Sequence, residues 1–88
     1  MADKGNILIV DDEPDVREAL EALLNSVGFK TGFAGDADTG IKAMTDQPCD
    51  LVLLDVKLPG RSGLAVLQEF RRLIRQLPII VLTALKDI

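Results

Sequence analysis

Three short runs of uninterrupted apolar residues punctuate the chain: Ile7-Leu8-Ile9-Val10, Leu51-Val52-Leu53-Leu54 and Ile79-Ile80-Val81-Leu82. They are continuous, not alternating, as strands covered on both faces of a parallel sheet are. A weaker stretch at residues 29–34 mixes Lys30, Thr31 and Gly32 among Phe29, Phe33 and Ala34 and suits an edge strand. Between the runs the period becomes helical. Pro14 takes a favourable first-turn position, and Val16, Leu20, Leu23, Leu24 and Val27 recur on one side until Gly28 stops the helix. Residues 36–46 predict a short second helix with Ala37, Ile41 and Met44 on one face, although Gly40 inside it costs about 1 kcal/mol relative to Ala. Ser62 can cap a third helix ending before Pro78, with Leu64, Leu67, Phe70 and Ile74 as its buried stripe and Arg71, Arg72 and Arg75 outside.

The order strand, helix, strand, helix, strand, helix, strand predicts an α/β open parallel sheet. Right-handed crossovers with the edge strand second put the first helix on one face and the other two on the opposite face, in strand order 2-1-3-4. No linker, repeat or low-complexity segment interrupts residues 1–88, so a single domain is expected.

Composition narrows the chemistry. With 48% hydrophobic and 27% charged residues the chain can build a core. A net charge of −4 argues against a nucleic-acid surface or an acidic membrane as a direct partner. No signal peptide is expected from the first residues, and no apolar run approaches the roughly 20 residues of a membrane span. A lone Cys49 fits the reducing cytoplasm and is expected to have no redox role. The absence of His, with only one Cys, removes Ser-His and Cys-His nucleophile pairs and His- or Cys-rich zinc sites. What remains are carboxylates, hydroxyls and the backbone.

In open α/β sheets ligands bind beyond the carboxyl ends of the strands, where the strand order reverses. The first strand ends in Asp11-Asp12-Glu13 and the third in Asp55, so carboxylates converge on one crevice. Unit charges 4 Å apart repel by roughly 4 kcal/mol at an effective dielectric of 20, and a divalent cation reverses that cost. Oxygen ligands without His or Cys point to magnesium or a similar hard ion. Singly, Asp12 or Glu13 would be an ordinary cap for the helix at Pro14; as strand-terminal acids on neighbouring strands, Asp11, Asp12 and Asp55 are less ordinary. Thr83 ends the fourth strand at the same rim, and the small Ala84 leaves room for a ligand. A dinucleotide site fails for want of a glycine-rich turn after the first strand. A phosphohydrolase of the haloacid dehalogenase type fails because neither Asp11 nor Asp55 has a second Asp two positions on.

These residues, with the loop Lys57-Leu58-Pro59-Gly60-Arg61-Ser62-Gly63 and Thr83-Ala84, resemble the receiver domain of bacterial two-component response regulators from Asn6 to the last residue. The resemblance implies a flavodoxin-like fold in which Asp55 accepts a phosphoryl group from a histidine kinase. It implies magnesium held by Asp12, Asp55 and the Lys57 carbonyl directly and by Asp11 through water, with Thr83 and Ala84 at the phosphoryl group. It implies a domain that assists its own phosphorylation without turning over an external substrate. The residues around Asp55 most resemble receivers of transcription regulators. A carboxylate can form an acyl phosphate when a metal neutralises the transferring oxygens. Lys57 could tune water access, though a solvated lysine is the plainer reading, and Pro59-Gly60 makes the turn.

The family pattern continues through a fourth helix, a fifth strand bearing a lysine, a switch aromatic and a last helix. Against it the chain is expected to be incomplete, with an output domain possible beyond Ile88, and Lys86 stands too soon after Thr83 to be that lysine. Phosphorylation is then expected to be weak, and residues 79–82 to expose an apolar edge that favours self-association. The alternative function is a receiver-derived module without phosphotransfer, held by self-association or completed by a partner.

Overall fold

A computed structural model describes residues 4–55, 63–73 and 75–82. The elements follow the expected order: β1 (Asn6–Val10), α1 (Pro14–Ser26), β2 (Lys30–Ala34), α2 (Ala37–Asp46), β3 (Leu51–Asp55), α3 (Gly63–Leu73) and β4 (Ile79–Leu82). The sheet is parallel with order β2-β1-β3-β4. The weak stretch at residues 29–34 is the edge strand β2, beginning one residue later than its pattern indicated.

The continuous apolar runs are continuous because each strand feeds two cores. Leu8, Val10, Val52 and Leu54 join Ala37 and Met44 of α2 and Val66 and Phe70 of α3 on one face. Ile7, Ile9 and Leu53 face the other way, against Leu20 and Leu24 of α1. Alternate strand residues point to opposite faces, so a strand covered on both must be apolar throughout.

Two helix stripes differ from their sequence pattern. In α1 the Leu20/Leu24 row packs on the sheet, whereas Leu23 and Val27 form a neighbouring row that is 61% and 46% exposed. In α3 the buried residues are Val66 and Phe70, and Leu64 is 65% exposed. Residues 66 and 70 stack one turn apart, and position 64 lies roughly 120–160° around the helix from them. An apolar count along the chain cannot separate two adjacent rows; the angle at which the helix docks selects one. Ile74 and the proposed cap Ser62 lie outside the described residues.

Polar contacts close the turns. Asn6 N–H donates to Asp50 Oδ2 at 2.8 Å, and Asp50 N–H donates to Asn6 O at 2.8 Å, clasping the starts of β1 and β3. Asp36 Oδ1 accepts from Thr39 N–H at 2.7 Å and caps α2. Gly28, at φ +106°, turns the chain out of α1 as the sequence indicated. Arg71, expected to be solvated, donates through Nη1 to the carbonyls of Arg75 and Leu77 and so braces the turn into β4. Among the described residues no helix is long and apolar enough to cross a membrane.

Candidate functional site

The register places the acids. β1 and β3 pair in parallel with Val10 opposite Leu54, so the next residue on each strand, Asp11 and Asp55, emerges side by side at the carboxyl edge. Asp12 follows on the turn into α1. Carboxylate oxygens of Asp11, Asp12 and Asp55 all lie within 4.8 Å of one another. Asp11 and Asp55 are buried, at 4% and 7% exposure, and Asp12 is exposed, so the cluster opens to solvent on one side.

The backbone orients Asp11. Its N–H donates to Ala34 O at 2.9 Å, continuing the β1–β2 ladder one step past the strand. Its Oδ1 accepts from Glu13 N–H at 2.9 Å, an Asx turn that carries the chain into Pro14. Glu13 takes the N-cap position of α1 and makes no side-chain capping hydrogen bond. Capping therefore does not account for Glu13, and the acids at this turn are not explained by helix entry alone. The Glu13 amide and the Ala34 carbonyl are the parts of the site that residue types did not reveal; an Asp two residues before a helix-initiating Glu-Pro was the available signal.

Burial raises the pKa of Asp11 above the usual carboxylate value of 3.8. The Glu13 N–H opposes that shift, and the charges of Asp55, Glu13 and Asp12 reinforce it. At separations near 4.8 Å each pair of ionised carboxylates repels by about 3–4 kcal/mol at an effective dielectric of 20. A divalent cation among them turns repulsion into coordination, and an oxygen-only donor set of this kind suits a hard ion with several positions left to water. Lys57, Thr83 and Ala84, the other residues assigned to the site from sequence, lie outside the described residues, as does Lys86. Cys49 stands apart from the cluster, half-buried, its thiol pKa raised by burial and then by Asp50.

The chain is similar to known proteins. The family described as response regulator receiver domain matches residues 7–88. The transcriptional regulatory protein DltR of Streptococcus agalactiae is 45% identical over 78 residues, which is 89% of this chain and 35% of that protein. The chain thus spans about a third of the length of such curated relatives. A crystal structure of the response regulator protein TrrA from Thermotoga maritima, in complex with Mg(2+)-BeF, has a TM-score of 0.85 at 39% identity, covering 93% of this chain and 71% of that one. TrrA in complex with the histidine kinase ThkA gives a TM-score of 0.84 at 40% identity, covering 90% of this chain and 68% of that one. With its 2-1-3-4 parallel sheet, its strand-terminal acids in register and a family match running from the first strand to Ile88, the chain belongs to the response regulator receiver domains.

Proposed function

We propose that Asp55 accepts a phosphoryl group from a histidine kinase while Asp11, Asp12 and Asp55 hold magnesium. The observation that carries this reading is the meeting of three carboxylates within 4.8 Å at the end of β1 and β3, in a receiver-family chain. TrrA, crystallised with Mg(2+)-BeF and with ThkA, supports the ion and the type of donor. In the transfer a carboxylate oxygen of Asp55 attacks phosphorus; the new O–P bond forms as the P–N bond to the kinase's histidine breaks, and the imidazole departs with its electron pair and is protonated. Bound magnesium would neutralise charge on the transferring oxygens. The residues of this chain provide position: the Glu13 amide orients Asp11, and the β1–β3 register holds Asp55 beside it. In the same reading the Lys57 carbonyl is a further metal ligand and Thr83 and Ala84 meet the phosphoryl group. The domain then acts as a signalling acceptor and not as an enzyme turning over an external substrate. Its output is control of transcription through a further domain, as the names of its relatives indicate. The single unpaired Cys49 thiol fits a cytoplasmic setting.

Acetyl phosphate with magnesium should add one phosphoryl group, detected by intact mass and mapped to Asp55. Asp55→Asn should abolish the adduct with the fold unchanged. An acyl phosphate that survives in this variant places the nucleophile elsewhere and defeats the assignment.

A second reading, self-association, is favoured by Ile80 and Val81 of β4, which are 51% and 39% exposed on a strand paired only with β3 among the described residues.

A further inference from the structure

Phe33 is an aromatic residue without an obvious packing role. It is 37% exposed on the edge strand β2 and belongs to neither apolar cluster. Its ring instead lies 5.8 Å from the guanidinium carbon of Arg17 on α1. Arg17 Nε is buried and has no hydrogen-bond partner among the described residues, and the guanidinium sits over the Phe33 ring at cation–π distance.

Both residues are one step from the acidic turn. Phe33 precedes Ala34, whose carbonyl receives Asp11 N–H at 2.9 Å. Arg17 N–H donates to Glu13 O at 3.1 Å, and Glu13 N–H donates to Asp11 Oδ1 at 2.9 Å. The turn 11–13 is thus bounded by the end of β2 on one side and the first turn of α1 on the other, and the ring–guanidinium stack joins those two. We propose that Phe33 and Arg17 are a positioning pair for the carboxylate cluster: the stack holds the first turn of α1 against β2 and so fixes the Glu13 amide that aims Asp11. The inference rests on the reading of Asp11 as part of a magnesium site, and it extends that site to two residues that touch no ligand. Groups that orient a ligand without meeting the ion commonly set its affinity.

The test uses three variants and two measurements. Phe33→Leu removes the ring without changing charge, Arg17→Lys keeps the charge but loses the planar guanidinium, and Phe33→Tyr keeps the ring. Amide hydrogen exchange at Glu13 is read by NMR in metal-free protein, and magnesium affinity is read by titration. Phe33→Leu and Arg17→Lys should each speed Glu13 exchange and weaken magnesium binding by about tenfold, the low end for outer-shell changes. Phe33→Tyr should restore both, the thermal midpoint should move little, and the double variant should be no worse than either single one. Parent-like Glu13 exchange and magnesium affinity in Phe33→Leu, or additive losses in the double variant, would overturn the proposal. If the parent itself shows no magnesium response at the three acids, the metal reading fails separately, and Glu13 exchange still decides whether the pair holds the turn.

Discussion

Asp11 is a carboxyl group pulled in two directions. Burial and the neighbouring charges favour its protonated form, while the Glu13 amide favours the ionised one; the balance raises its pKa from 3.8. The folded state therefore holds this proton more tightly than the unfolded chain, so stability falls as pH rises from about 4 through the folded value. Asp11→Asn keeps the acceptor oxygen for Glu13 N–H and removes the charge. In metal-free buffer this variant should be more stable than the parent by at most a few kcal/mol, with the difference growing as pH rises toward neutrality. Thermal melts at pH 4 and pH 7 check the sign, and equal stability of the two proteins at pH 7 would contradict the account. Magnesium should reverse the order, stabilising the parent more than Asp11→Asn, because an ion that binds only the folded state adds its binding free energy.

At the scale of elements, the cost of Gly40 in a helix interior is explained by what lies against it. A Cβ at this position would stand 3.2 Å from Phe70 Cζ and 3.2 Å from Val10 Cγ2, closer than comfortable packing, so glycine lets α2 approach β1 and α3. Gly40→Val adds branched volume at a buried junction and should destabilise by about 1–3 kcal/mol, measured by urea denaturation. Phe70→Ala, deleting a fully buried ring at the same junction, should cost about 3–5 kcal/mol. Leu64→Gln, on the exposed side of α3, should stay within about 0.5 kcal/mol of the parent. A Leu64→Gln loss as large as that of Phe70→Ala would mean that the outward row of α3 is covered after all.

For the molecule as a whole, β4 governs association. Leu53 and Leu54 of β3 are buried, yet their β4 neighbours Ile80 and Val81 are substantially exposed. Exposed apolar strand edges pair with other chains unless something protects them. We expect the isolated 88-residue chain to associate at micromolar concentration, and Ile80→Lys to shift it toward monomer by placing a charge on that strand. Light scattering on both proteins checks this, and a well-folded monomeric parent would defeat it.

The order of elements was legible in the chain because each element has its own local signature. Continuous apolar runs mark doubly covered strands, Pro14 and Gly28 mark the bounds of α1, and right-handed crossovers leave little choice of strand order. The acids Asp11, Asp12 and Asp55 were legible for the same reason: Asp55 ends β3, Asp11 and Asp12 are the two residues after β1, and strand ends in such sheets converge. Tertiary structure decided what depends on angle and register. Docking chose the Leu20/Leu24 row of α1 over Leu23 and Val27, and Val66 of α3 over Leu64, because apolar residues at different angles around a helix differ only in direction. Pairing of Val10 with Leu54 turned separate acids, 44 positions apart for Asp11 and Asp55, into one cluster. Bending at residues 11–13 brought the Glu13 amide to Asp11, and packing set Phe33 against Arg17. The Phe33–Arg17 contact joins residues 16 positions apart, whose meeting no local pattern records.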